Sequence, residues 1–218
     1  MPADRHPEAP RFPDVLQERA ADGRVADGDA LTEVELAGAA WAGVRADGVE
    51  CTEVVLADPD LSGSELLDWT MRDAVLRDAN LANATFRGGE WTRVLVDGGR
   101  LTGLQVAEAT LRDVLWRGCG AEMAAFRHTH LSRVTFADCN LREADFTGVR
   151  AEHLRFLDCD LRGAAFHHAQ MTSSELRRCR LDGIEGVEGL RGAAMELEQL
   201  LELAPTLAHA LGIGLLEG

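Results

Sequence analysis

Every fifth residue from Leu31 to Leu181 is apolar, and the phase never slips. The series opens Leu31, Leu36, Trp41, Ala46, Cys51 and closes Phe166, Met171, Leu176, Leu181. Of its 31 members, all but Ala46, Cys51, Ala121 and Ala151 are large. Two residues before most members stands a small or β-branched one, as at Val34, Val44, Ala74, Ala84, Ala124, Ala144 and Ala164. Glycine recurs two residues after it, as at Gly38, Gly63, Gly98 and Gly148. A period of five fits neither a helix, with 3.6 residues per turn, nor a strand, with two. It fits a chain that turns a corner every five residues and points one large and one small side chain inward from each short face. Gly, Asp and Asn ease such corners. Four faces close a coil of about 20 residues, and successive coils hydrogen-bond like parallel strands about 4.8 Å apart. The expected fold is therefore an all-β solenoid, a parallel β-helix of about eight coils.

Residues 20 apart then stack. Trp116, Phe136 and Phe156 share one inward column, and Phe126, Phe146 and Phe166 share another. Both read as core, each fully buried large side chain contributing roughly 1.5–3 kcal/mol. Cys119, Cys139, Cys159 and Cys179 form a column at the small inward position. Their setting, as in DCNL and DCDL, suggests a metal site, but a straight column cannot bring four sulfurs within about 2.3 Å of one zinc. They read as small core thiols. His128, His130, His167 and His168 read as surface residues. Pro59, Trp69, Leu104 and Leu154 depart from the small type; Trp69 is the hardest to seat and marks an expected local bulge.

The units ADFTG, CNLRE, CDLRG, AAFHH, AVLRD and ANLAN resemble the A-(D/N)-(L/F)-x-x motif of the pentapeptide repeat family, over about residues 29–183. The resemblance implies a right-handed quadrilateral β-helix. Residues 1–28 are expected to be an N-terminal arm. Its first stretch, MPADRHPEAPRFPD, holds four of the six prolines and reads as mobile, while residues 14–22 suit a short capping helix. Residues 184–218 leave the five-residue phase. Leu190, Ala194, Leu197 and Leu201 fall at helical spacing, and Pro205 is expected to start a second short helix. Leu197, Leu200, Leu201, Leu203, Leu207 and Leu211 give this segment more apolar surface than one cap needs, which suggests a homodimer across the C-terminal end; the alternative is a segment that covers only its own last coil.

The net charge of −15 disfavours direct nucleic-acid binding, which needs a basic footprint. No apolar run is long enough to span a membrane. No charged-then-apolar leader opens the sequence, and five cysteines are an odd count for a disulfide framework. A cytoplasmic location with free thiols is the expectation. No Ser–His–Asp spacing, phosphate loop or dinucleotide fingerprint occurs, so no catalytic residue, cofactor or metal is expected.

Acidity is uneven. Residues 29–110 carry 15 acids and 6 arginines, whereas residues 111–183 carry 10 acids and 11 arginines. Carboxylates fall into outer columns, with Asp58, Asp78, Asp138 and Asp158 in one and Glu53 and Asp73 in another. Asp60 and Asp160 lie beside the first. Asp and Asn favour turns in any case; as an ensemble, rows of carboxylates on a rod resemble the charge layout of duplex DNA. The resemblance extends to the dimeric, acidic family members that imitate DNA, bind DNA gyrase or topoisomerase IV and protect them from poisons. It implies a partner-binding role for Glu53, Asp58, Asp60, Asp73, Asp78, Asp138, Asp158 and Asp160. With no phase break, no loop projects, and the chain is closer to the loopless mycobacterial type. The alternative is a non-enzymatic interaction scaffold with a different partner.

Overall fold

The computed structural model describes residues 6–20 and 24–214, and in it the five-residue period becomes a conformational one. The residue two after each large apolar one, from Glu33 to Gly183, has positive φ at all 31 corners; 11 of these residues are glycine and 20 are not. A single left-handed residue turns the chain without a longer loop, which is why the phase cannot slip. Asp and Asn tolerate this conformation better than most, through short polar side chains that hydrogen-bond locally.

Between corners the backbone is extended, and each residue pairs in parallel with the one 20 positions on, as at Val54↔Ala74 and Val114↔Val134. Eight-residue strands such as Glu50–Ala57 and Thr110–Arg117 bend through one corner and so serve two faces. Three-residue strands such as Arg45–Asp47 and Glu65–Leu67 form the face two corners away. Single parallel bridges, Asp60↔Asn80 and Asn140↔Asp160 among them, close the fourth. Nine pairing steps lead along the main sheet from the first strand to the last. The β-solenoid therefore has about nine turns, one more than the apolar series indicates, because both ends add a strand outside the phase.

The core is the predicted set of columns. Trp116 and Phe136 stack at 5.8 Å, and Phe136 and Phe156 at 5.3 Å. Phe126, Phe146 and Phe166 stack at 5.3 Å per step. The two ladders meet edge to face, as Phe146 and Phe156 do at 5.2 Å, a favourable arrangement of ring quadrupoles. Trp69 joins this interior, 2% exposed and 6.0 Å from Phe86. It causes no slip of register, since Met71 still pairs with Trp91. In the coil above, Gly89 at φ +78° passes close over the backbone of residue 69, where a Cβ would stand 2.3 Å from the Trp69 carbonyl oxygen, as Gly99 does over Ala79. The bulge expected there shrinks to one missing rung. Thr70, Thr110 and His130 each donate N–H to the carbonyl of residue 49, 89 and 109. Among the described residues, no such bond joins Glu90 to Trp69.

Both ends differ from expectation. Gln17–Ala20 is a strand and not part of a helix; it pairs in parallel with Ala30–Ala37, Gln17 opposite Val34, and covers the open edge of the first coil. Residues 21 and 22 of the expected helix lie outside the described residues. At the other end Ala193–Met195 adds a last strand. One helix follows, α1 (Leu197–Ala210), with Pro205 inside it rather than starting a second helix. Leu203 is buried against the core and Leu207 packs beside it. Because these anchors flank Pro205, the chain is held on one axis across the missing N–H. Gln199 Nε2 donates to the Cys179 carbonyl at 3.2 Å, satisfying an acceptor of the final coil. No helix among the described residues is long and apolar enough to cross a membrane.

Candidate functional site

The solenoid has four corners, and side chains at the corners point away from the packed interior. Two of them carry most of the expected acidic residues. The first reads Gly38, Asp58, Asp78, Gly98, Gly118, Asp138, Asp158, Arg178 in successive coils. Asp58, Asp78 and Asp138 are exposed there. The Asp78 carboxylate lies toward the next coil, where a Cβ at Gly98 would stand 2.7 Å from Oδ1. Glycine at 98 thus serves both the positive φ and the carboxylate below it. Asp158 is bound bidentately by Arg178 at 2.6 and 2.7 Å, and this pairing holds its carboxyl below the usual range.

The second corner reads Glu33, Glu53, Asp73, Arg93, Asp113, Arg133, His153. Glu53 is half-buried and makes no ion pair among the described residues. Asp73 and Asp113 are buried and held bidentately by Arg93 (2.7 and 2.6 Å) and Arg133 (2.6 Å twice). Burial raises the carboxyl pKa of both, but the guanidinium and a backbone N–H outweigh it and leave both below the ordinary value. Asp60 and Asp160 sit beside the first corner. Asp60 accepts from Ser62 Oγ (2.7 Å) and Asn80 Nδ2 (3.0 Å), and Asp160 from Arg162 (2.8 and 2.5 Å).

Geometry therefore sorts the eight residues. Glu53, Asp58, Asp78 and Asp138 present carboxylates without ion pairs among the described residues, Asp60 is held by neutral donors, and Asp73, Asp158 and Asp160 are tied to arginines. Asp68, exposed at a third corner below Gly88, belongs with the first group. Its signal was its place two residues after Leu66, in a column otherwise poor in acids.

The interior offers little chemistry. The five cysteines are buried and free of disulfides. Sγ of Cys139, Cys159 and Cys179 lies 3.4–3.5 Å from the carbonyl oxygens of Trp116, Phe136 and Phe156. Burial pushes the Cys51 thiol up to about 12. The neighbouring thiol of the coil below, Cys119 and Cys139 respectively, does the same to Cys139 and Cys159, also to about 12. Among the described residues no group of three or more His, Cys, Asp and Glu is placed to hold a metal. His128, His130 and His168 are exposed, and His167 faces Glu185 and Glu188 at 3.6 Å.

α1 carries one wide apolar arc. Leu203 and Leu207 close the solenoid, whereas Leu197 (70% exposed), Leu200, Leu201 and Leu211 face outward with Ile213.

Two family models match the chain, a pentapeptide repeat region over residues 109–185 and pentapeptide repeats over residues 50–88, together just over half its length. The chain is a pentapeptide repeat protein. No curated protein sequence matches it significantly. Solved structures similar to this pentapeptide repeat protein include HetL from the cyanobacterium Nostoc, described as involved in heterocyst differentiation regulation. It is 17% identical over 78% of this chain and 90% of its own, with a TM-score of 0.50. They also include a trypsin-treated variant of QnrB1, a plasmid-mediated fluoroquinolone resistance protein, 20% identical over 89% of this chain and 100% of its own, with a TM-score of 0.47. At these identities the likeness is one of fold.

Proposed function

We propose that this pentapeptide repeat protein is a non-enzymatic, acidic rod that binds DNA gyrase or topoisomerase IV where duplex DNA normally lies, and so modulates the enzyme or protects it from poisons. Charge density along the axis carries the reading. Residues 29–110 have a net charge of −9. They fill about four coils, or about 20 Å at the parallel-strand spacing, roughly one net negative charge per 2.2 Å. Duplex DNA carries one per about 1.7 Å. Residues 111–183, over a similar length, have a net charge of +1, and several of their aspartates are tied to arginines, as Asp113, Asp145 and Asp158 are. The surface for a DNA-binding groove is thus the first half, led by Asp58, Asp78 and Glu53. The outward leucines of α1 support a homodimer that doubles the rod.

The test is surface plasmon resonance against gyrase and topoisomerase IV, beside a supercoiling assay with and without a fluoroquinolone. The expected result is saturable binding, reduced at least tenfold by the combined changes Glu53→Lys, Asp58→Lys and Asp78→Lys. Absence of both binding and any effect on supercoiling refutes the proposal. Binding that survives the charge reversal favours the second reading, a scaffold that uses the near-neutral half.

A further inference from the structure

Residues 6–14 read HPEAPRFPD, with Pro7, Pro10 and Pro13 three apart. Proline fixes φ near −65°, and such a segment favours the polyproline II helix, with three residues per turn and a rise of about 3.1 Å. The segment is laid along the corner that carries Asp73, Arg93, Asp113 and Arg133. Glu8 donates its backbone N–H to Asp113 Oδ1 at 3.2 Å, and Arg11 donates its own to Asp73 Oδ1 at 2.9 Å. Further along the rod, the His6 ring meets Arg155 Nη1 at 2.7 Å. Glu8 and Arg11 lie one turn apart and pair with each other, Arg11 Nη2 to Glu8 Oε2, at 2.7 Å.

The two structures are commensurate. Three residues of polyproline II advance about 9.3 Å, and two coils advance about 9.6 Å. Three residues of the arm, from Glu8 to Arg11, therefore cross 40 residues of the solenoid, from Asp113 to Asp73. The same face of the arm meets the aspartate of every second coil. The intervening coils supply Arg93 and Arg133, which lock those aspartates in place. Each donor directly follows a proline, Pro7 before Glu8 and Pro10 before Arg11, so the donor spacing is built into the sequence.

We propose that the corner formed by Asp73, Arg93, Asp113 and Arg133 is a recognition strip for an extended, proline-rich strand with a backbone donor at every third residue, and that the chain's own N-terminal arm is its resident occupant. A partner's segment of the same chemistry reaches this edge only by displacing the arm. The tether gives the arm an effective concentration on the order of millimolar. The strip is separate from the exposed acids of the first corner and does not depend on their role.

Amide hydrogen exchange on the unaltered full-length protein tests the occupancy. Glu8 and Arg11 amides are expected to exchange at least tenfold more slowly than those of Ala9 and Phe12, and equal rates overturn the proposal. A second experiment uses the full chain carrying Pro7→Gly, Pro10→Gly and Pro13→Gly, titrated with a fluorescein-labelled HPEAPRFPD peptide to millimolar concentration. Saturable binding is expected, at least tenfold tighter than to the unaltered protein. No binding to the variant overturns the strip, and equal binding to both proteins overturns the resident arm. A peptide of the same composition with the proline spacing scrambled is expected not to bind, and its binding equally well overturns the period-three recognition.

Discussion

Two glycines, Gly63 and Gly89, separate the cost of turning a corner from the cost of stacking a coil. Gly63 has φ +62° and no neighbouring atom within 4 Å of where a Cβ would lie. Gly63→Ala therefore incurs only the left-handed penalty of roughly 1–2 kcal/mol, partly offset by the roughly 0.4–1 kcal/mol that alanine removes from unfolded-state entropy. A loss near 1 kcal/mol is expected. Gly89 has φ +78°, but its Cβ would meet the carbonyl O, C and N of Trp69 at 2.3, 2.9 and 3.0 Å. These are backbone atoms of a coil whose stacking distance is fixed by its neighbours, so they cannot swing aside as a side chain would. Adding an overpacking cost of about 1–3 kcal/mol gives roughly 2–4 kcal/mol for Gly89→Ala. For a chain of this size that is a fall in Tm of about 4–16 °C, against about 2–4 °C for Gly63→Ala. Thermal unfolding followed by circular dichroism, with urea unfolding to confirm the order, measures both. If Gly89→Ala is no more destabilising than Gly63→Ala, the close stacking of Gly89 on the backbone of residue 69 is refuted. Gly99→Ala, whose Cβ would stand 2.3 Å from the Ala79 carbonyl oxygen, is expected to group with Gly89→Ala.

Asp73 and Asp113 titrate below the ordinary carboxylate value in the folded chain. Their stabilisation is fully present above the unfolded pKa of about 3.9 and is lost as pH falls through the lowered folded values. Tm should change little from pH 7 to pH 5 and fall steeply below about pH 4; a Tm that holds down to pH 2 contradicts this. On α1, Leu197→Glu with Leu201→Glu should yield a monomer in sedimentation velocity with little change in Tm. Leu203→Ala should instead lower stability by about 2–5 kcal/mol, as expected for a buried leucine. A monomeric unaltered protein refutes the dimer, and a silent Leu203→Ala refutes its part in closing the solenoid.

The solenoid was legible because its rule is local and repeated. A corner needs one residue of positive φ, and a large inward side chain sits two residues before it, so the phase of Leu31 to Leu181 reports every coil. The ends were not legible for the same reason. Gln17–Ala20 pairs at an interval of 17 and Ser174 with Ala193 at 19, so neither extends the pattern of 20. Pro205 read as a helix start because its missing N–H usually excludes it from a helix interior. Here it lies on the exposed side of α1, and Leu203 and Leu207 hold the helix on both sides of it. Among the candidate acids, residue type and column placed Asp58 and Asp78 outside but could not tell them from Asp73. That difference lies in an arginine one coil on and in a main-chain N–H of the arm. Backbone donors leave no mark in residue type; the spacing of Pro7, Pro10 and Pro13 was the trace available.

The left-handed corners also bear on how such a rod changes over generations. Twenty of the 31 corners already hold a side chain other than glycine, including Met123, Arg93 and Ser173. Most corner side chains face water, Asp73 and Asp113 under the N-terminal arm being exceptions, so exchanging an exposed one for another leaves the aromatic ladders and the coil register untouched. The interior is a fixed template, while each exposed corner without a partner in the adjoining coil is a writable position on a lattice of known spacing. A lineage can recompose the charge pattern of one edge residue by residue, at a small and roughly additive cost in stability, without solving its packing anew.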